Sequence, residues 1–82
     1  MPTSDPHPVA DELGHRIQVR RVQLRMSRQQ LAATSGLHPT YIGDIEGGHR
    51  NLTLLTILRL AKALEVRPGE LLDGLETYEL DG

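Results

Sequence analysis

The segment "QQLAATSGLHPTYIGDIE", residues 29–46, constrains the fold more than any other part of the chain. It holds two short helical patterns with one glycine between them. Ser27 and Gln30 have the spacing of a capping box, in which the serine hydroxyl and the glutamine amide each satisfy a backbone N–H at a helix start. Leu31 and Ala32 then face inward, and Gly36 ends the helix by taking the left-handed conformation that other residues resist. Leu37 drops into the core behind the turn. His38 is the expected cap of the next helix, with Pro39 at its first position, where a missing N–H costs nothing. Ile42 and Ile45 give that helix its buried edge, with Tyr41 beside them. Gly43 within it costs roughly 1 kcal/mol against alanine, so packing must hold the helix in place. It ends at Gly47-Gly48.

Three further helices flank this pair, and no segment reads as a strand. Helix 1 runs from about Val9 to Arg25, with Ala10, Leu13, Ile17, Arg21 and Leu24 along one face. Arg21 is the odd member of that stripe, and must snorkel outward or meet a carboxylate. Helix 4 is capped by Thr53 and presents Leu54, Ile57, Leu58, Leu60, Ala61 and Leu64. Helix 5 begins at Pro68 and carries Leu71, Leu72 and Leu75. The expected organisation is a flexible arm over residues 1–8, one all-α domain over 9–75 and a fraying tail over 76–82. A chain of 82 residues makes one domain that is marginally stable alone, so a second subunit would help it.

Composition excludes more than it proves. Without cysteine there are no disulfides and no thiolate zinc sites, which fits a reducing cytoplasm. The longest apolar run, "LTLLTILRLAKAL", is too short and too charged to span a bilayer. His38, Asp44, Glu46 and His49 lack a metal-ligand spacing, no phosphate-cradling glycine loop is present, and so neither a metal, a cofactor nor an enzyme activity is expected. The formal charge of −2 argues against a polyanionic partner until its distribution is considered. Residues 15–50 hold six arginines against Asp44 and Glu46, whereas residues 51–82 carry a surplus of three negative charges. That asymmetry reads either as one basic face or as ordinary surface scatter.

Two short helices joined by a glycine-containing turn, with a small residue where they cross, form the helix-turn-helix that places its second helix in a DNA major groove. Over residues 13 to about 72 the chain resembles the Cro and phage-repressor helix-turn-helix family, also called XRE. The run "SGLHPTYIGDIEGGHRNLT" is similar to the small controller proteins of restriction–modification systems. The resemblance implies a compact five-helix, lambda-repressor-like domain that binds double-stranded DNA as a homodimer on a palindromic operator and regulates transcription, most simply of its own operon.

The same resemblance assigns roles residue by residue. His38, Pro39, Thr40 and Asp44 fall where base edges are read. Proline can offer only apolar contact there, and Asp44 either accepts from a cytosine amino group, disfavours wrong sites or caps a neighbouring side chain. Arg28, Tyr41, His49, Arg50 and Asn51 fall where the sugar-phosphate backbone is touched, with Arg16 and Arg20 as weaker candidates. Glu46 matches a glutamate that pairs with a helix-1 arginine, here Arg21. Leu72, Leu75, Tyr78 and Leu80 form the expected dimer surface. As a regulator the protein would block or contact RNA polymerase; the competing reading is an antitoxin or protein-interaction module on the same fold, with a toxin or other protein as partner.

Overall fold

The computed structural model describes residues 7–80. Among them are five α-helices, no strand and one closing 3₁₀ turn: α1 (Pro8–Gln23), α2 (Arg28–Ser35), α3 (Pro39–Glu46), α4 (Leu54–Ala63), α5 (Pro68–Leu72) and η1 (Leu75–Thr77).

Each helix start is written in local chemistry. Ser27 Oγ accepts from Gln30 N at 3.0 Å, and Gln30 Oε1 accepts from Ser27 N at 2.7 Å. Thr53 Oγ1 accepts from Thr56 N at 3.1 Å, and Glu70 Oε2 accepts from Arg67 N at 2.8 Å ahead of Pro68. Histidines cap two helices: His7 Nδ1 accepts from Val9 N at 3.2 Å and His38 Nδ1 from Thr40 N at 3.1 Å. The first of these differs from the expected arm over residues 1–8. Pro8 opens α1, because a proline at a helix start loses no hydrogen bond. The rest of the expected arm, residues 1–6, lies outside the described residues.

The ends of the helices carry a second departure. Helix 1 stops at Gln23 and not at Arg25, which sits at φ +57°. Met26 N bonds to Arg21 O at 3.1 Å and Arg25 N to Val22 O at 2.9 Å, the paired bonds of a left-handed cap. Glu65, at φ +58°, closes α4 in the same way. The sequence gives no glycine at either place, so the pattern alone does not reveal these caps.

The core joins Leu13 and Ile17 of α1, Leu31 and Ala32 of α2, Ile42 and Ile45 of α3, Leu60, Ala61 and Leu64 of α4, Leu71 of α5 and Leu75 of η1. α3 packs against both α1 and α2, and α4 against α2 and α5. The approach of α1 to α3 is close enough that a Cβ on Gly14 would collide with the Ile45 carbonyl oxygen. Only part of the apolar face of α4 is buried: Leu54 and Leu58 are 69% and 42% exposed, with Leu55 at 58% beside them. One expectation fails here. Leu75, assigned to a subunit interface, is buried in its own core, so the segment after α5 is a packed turn before it becomes a tail.

Candidate nucleic-acid interface

The α2–turn–α3 unit sets one helix half in and half out. Gly36 at φ +76° lets its own N–H and that of Leu37 both reach Ala32 O, at 2.9 and 3.0 Å, which turns the chain sharply. Pro39 then starts α3 with Ile42 and Ile45 buried. The opposite side is open: His38, Pro39 and Thr40 are exposed, and Tyr41 and Asp44 are half-buried. Side chains at the beginning of α3 are therefore free to meet a ligand along the helix.

Glu46 holds the far end of α3 from within. Its side chain is 1% exposed. Arg21 donates to it through Nε at 2.6 Å and Nη2 at 3.1 Å, and also gives Nη1 to Met26 O at 2.8 Å. Arg28 adds a third donor, Nε to Glu46 Oε1 at 3.1 Å. One carboxylate thus ties α1, the α1–α2 turn, the first residue of α2 and the last of α3 together. The second arginine was not foreseen, since Arg28 falls on a different element. Its side chain remains 52% exposed, and its Nη groups make no hydrogen bond to a described residue.

A second carboxylate sits on the open side. Asp44 Oδ2 accepts from Arg50 Nη2 at 3.0 Å and Nε at 3.3 Å. The Arg50 guanidinium carbon lies 5.3 Å from the centroid of the Tyr41 ring. Gly48, at φ +80°, closes α3 and hands the chain to the exposed loop of His49, Arg50 and Asn51. Leu52, packed against the core, pins that loop from below.

The helix-1 arginines are used differently from the expected backbone contacts. Arg16 donates to Leu71 O at 3.1 Å and Asp73 O at 2.7 Å, and pairs with Glu12 at 2.9 Å. Arg20 donates to Leu64 O at 2.9 Å. Both satisfy the bare carbonyls at the ends of α4 and α5, where a cation also suits the helix dipole. Among the described residues no three His, Asp or Glu side chains gather as a metal site, and no helix is long and apolar enough to cross a membrane.

Fold and open helix together define a small regulator of the helix-turn-helix class. The chain belongs to the helix-turn-helix family, whose model matches residues 17–71. It is similar to control protein C.BamHI of Bacillus amyloliquefaciens, with 48% identity over 56 residues that cover 68% of this chain and 69% of that one. It is also similar to control protein C.SmaI of Serratia marcescens, with 53% identity over 47 residues, 57% of this chain and 56% of that one. Among solved structures it is similar to the restriction-modification controller protein C.AhdI from Aeromonas hydrophila, with a TM-score of 0.77, 38% identity and coverage of 79% of this chain and 98% of that one. The wild-type restriction-modification controller protein C.Esp1396I gives a TM-score of 0.75, 30% identity and coverage of 87% and 92%.

Proposed function

We propose that this chain is a controller-type transcription regulator that binds a palindromic operator as a homodimer and acts on its own operon. The observation that carries the reading is the posture of α3, buried along Ile42 and Ile45, locked by Glu46 and open along His38, Pro39 and Thr40. In the complex these three residues face base edges in the major groove, with Thr40 donating or touching a thymine methyl. Arg28, Tyr41, His49, Arg50 and Asn51 hold the flanking backbone, which fixes register. Two such helices related by a two-fold axis read half-sites about 34 Å apart.

The dimer surface we assign differs from the expected one. Leu75 is unavailable, whereas Leu54, Leu55 and Leu58 form an exposed apolar patch on α4, and Tyr78 and Leu80 are exposed near the end of the described chain. A second copy covering the α4 patch buries the same leucines from both sides. The patch also fits a toxin or another protein, and sedimentation of the purified chain separates the cases. A dimer that the Leu54→Asp, Leu58→Asp double variant dissolves supports self-association; a monomer that keeps full operator affinity refutes it. Footprinting on the gene's own upstream region and selection from random duplexes test the regulator reading itself. No protected site in either would overturn it.

A further inference from the structure

The Asp44–Arg50–Tyr41 cluster has a feature that a base-reading aspartate does not need. One carboxylate oxygen of Asp44 takes both Nε and Nη2 of Arg50, while the guanidinium lies over the Tyr41 ring. Tyr41 is itself packed against the core, so the ring is a fixed floor. The backbone beneath Arg50 is fixed too, because His49 N bonds to Asp44 O at 3.0 Å in the cap that Gly48 makes. The long arginine side chain is therefore held at its root, at one edge and on one face. Its Nη1, at the end opposite the Nε edge, makes no hydrogen bond to a described residue, and the side chain is 52% exposed.

Resting on the regulator reading above, we infer that Asp44 is a positioning residue: it buttresses Arg50 on the Tyr41 ring so that the free Nη end of the guanidinium grips one DNA phosphate. The bare end of the fork matches two phosphate oxygens, and a pre-set fork loses less freedom on contact. Phosphate fits better than a base here. The exposed N-terminal residues of α3 occupy the base-facing positions, and Arg50 lies beyond the other end of the helix. The pairing also explains how an acidic side chain is tolerated beside a polyanion: its charge is already matched within the protein.

The test uses the full chain and an operator duplex selected from a random pool, together with its single-base-pair variants. Binding is read by fluorescence anisotropy at about 0.3 M salt, where the Debye length of roughly 6 Å suppresses simple repulsion between Asp44 and DNA. Arg50→Ala is expected to weaken binding about tenfold on every duplex alike and to lower the salt slope by about 0.9 per site. Asp44→Ala is expected to weaken it about threefold, again on every duplex, and to have no weakening effect in the Arg50→Ala background. In the DNA-free protein, Arg50 side-chain protons are expected to show an upfield ring-current shift that Asp44→Ala reduces. A loss confined to one base pair, an equal loss in both backgrounds, tighter binding by Asp44→Ala, or an unchanged ring-current shift overturns the positioning role while leaving the regulator reading intact. Absence of any duplex affinity in the wild-type chain sinks both.

Discussion

Glu46→Ala tests the centre of the architecture. The substitution removes an acceptor whose side chain is 1% exposed and strands Arg21, whose side chain is 11% exposed, while Arg28 at 52% can return to water. The cost therefore falls on one buried guanidinium, and deleting one partner of such a pair costs about 3–5 kcal/mol. Arg21 keeps its bond to Met26 O, which places the expected loss at the lower end, about 3 kcal/mol. For a domain of this size each kcal/mol moves Tm by roughly 4–8 °C, so the midpoint should fall by about 12–24 °C. Circular dichroism melts at one fixed protein concentration measure it, since the proposed dimer would make Tm depend on concentration. Arg28→Ala is the control and should cost less, about 1–2 kcal/mol, because the buried Glu46 keeps both bonds from Arg21 and the lost arginine is half in solvent. Replacing both members, Arg21→Met with Glu46→Leu, should recover most of the loss because no charge remains stranded. A Glu46→Ala loss below about 0.5 kcal/mol, the ordinary surface range, would refute the claim that this carboxylate locks α3.

Gly14→Ala should destabilise by about 1–3 kcal/mol in urea melts despite alanine's better helix propensity, because the new Cβ meets the Ile45 carbonyl. Glu65→Gly should raise stability by about 1 kcal/mol, since glycine accepts φ +58° without the left-handed penalty; a loss would show that Glu65 is held by something beyond its cap. With two half-exposed arginines per protomer set for phosphate, a dimer neutralises about four phosphates, so the slope of log K against log salt should lie near −3.6. A slope of about −7 would mean that Arg16 and Arg20 also reach DNA, since about eight phosphates would then be neutralised.

What the sequence disclosed is what local chemistry determines. Ser27 with Gln30, His38 with Pro39, and Thr53 each name a helix start because the capping partner is two or three residues away. Gly36 names the turn because few other residues hold φ +76°. The misses share a different origin. Arg25 and Glu65 are exposed and take left-handed caps without glycine, because the flanking Leu24, Met26, Leu64 and Val66 are drawn onto the core. Gly14 matters through a contact with α3, distant in sequence. Apolar spacing along α4 groups Leu54 and Leu58 with Leu60 and Leu64 on one face, and it cannot tell which part of that face its own core covers and which part stays exposed. The pairing of Glu46 with Arg21 was implied by resemblance. The reach of Arg28 to the same carboxylate was not, because a long side chain's direction is set by its surroundings and not by its position in a pattern.

The same reasoning changes how charge should be counted in such a domain. Six arginines against two carboxylates in residues 15–50 suggest a basic face, but that count treats every cation as equally available. Arg16 and Arg20 are committed to helix-end carbonyls, Arg21 is committed to Glu46 in the interior, and Arg25 is exposed in the α1–α2 turn, off α2 and α3. Arg28 and Arg50 share their carboxylates yet keep half their side-chain surface in solvent, Arg28 at the start of α2 and Arg50 just beyond α3. An arginine held along one edge by a carboxylate still offers its other edge as a donor pair, with its orientation already fixed. In the proposed complex Glu46 and Asp44 act less as a subtraction from the attraction for a polyanion than as the means of aiming it. A chain of net charge −2 can meet DNA because binding depends on which N–H groups point outward around α3, a quantity the net charge does not contain.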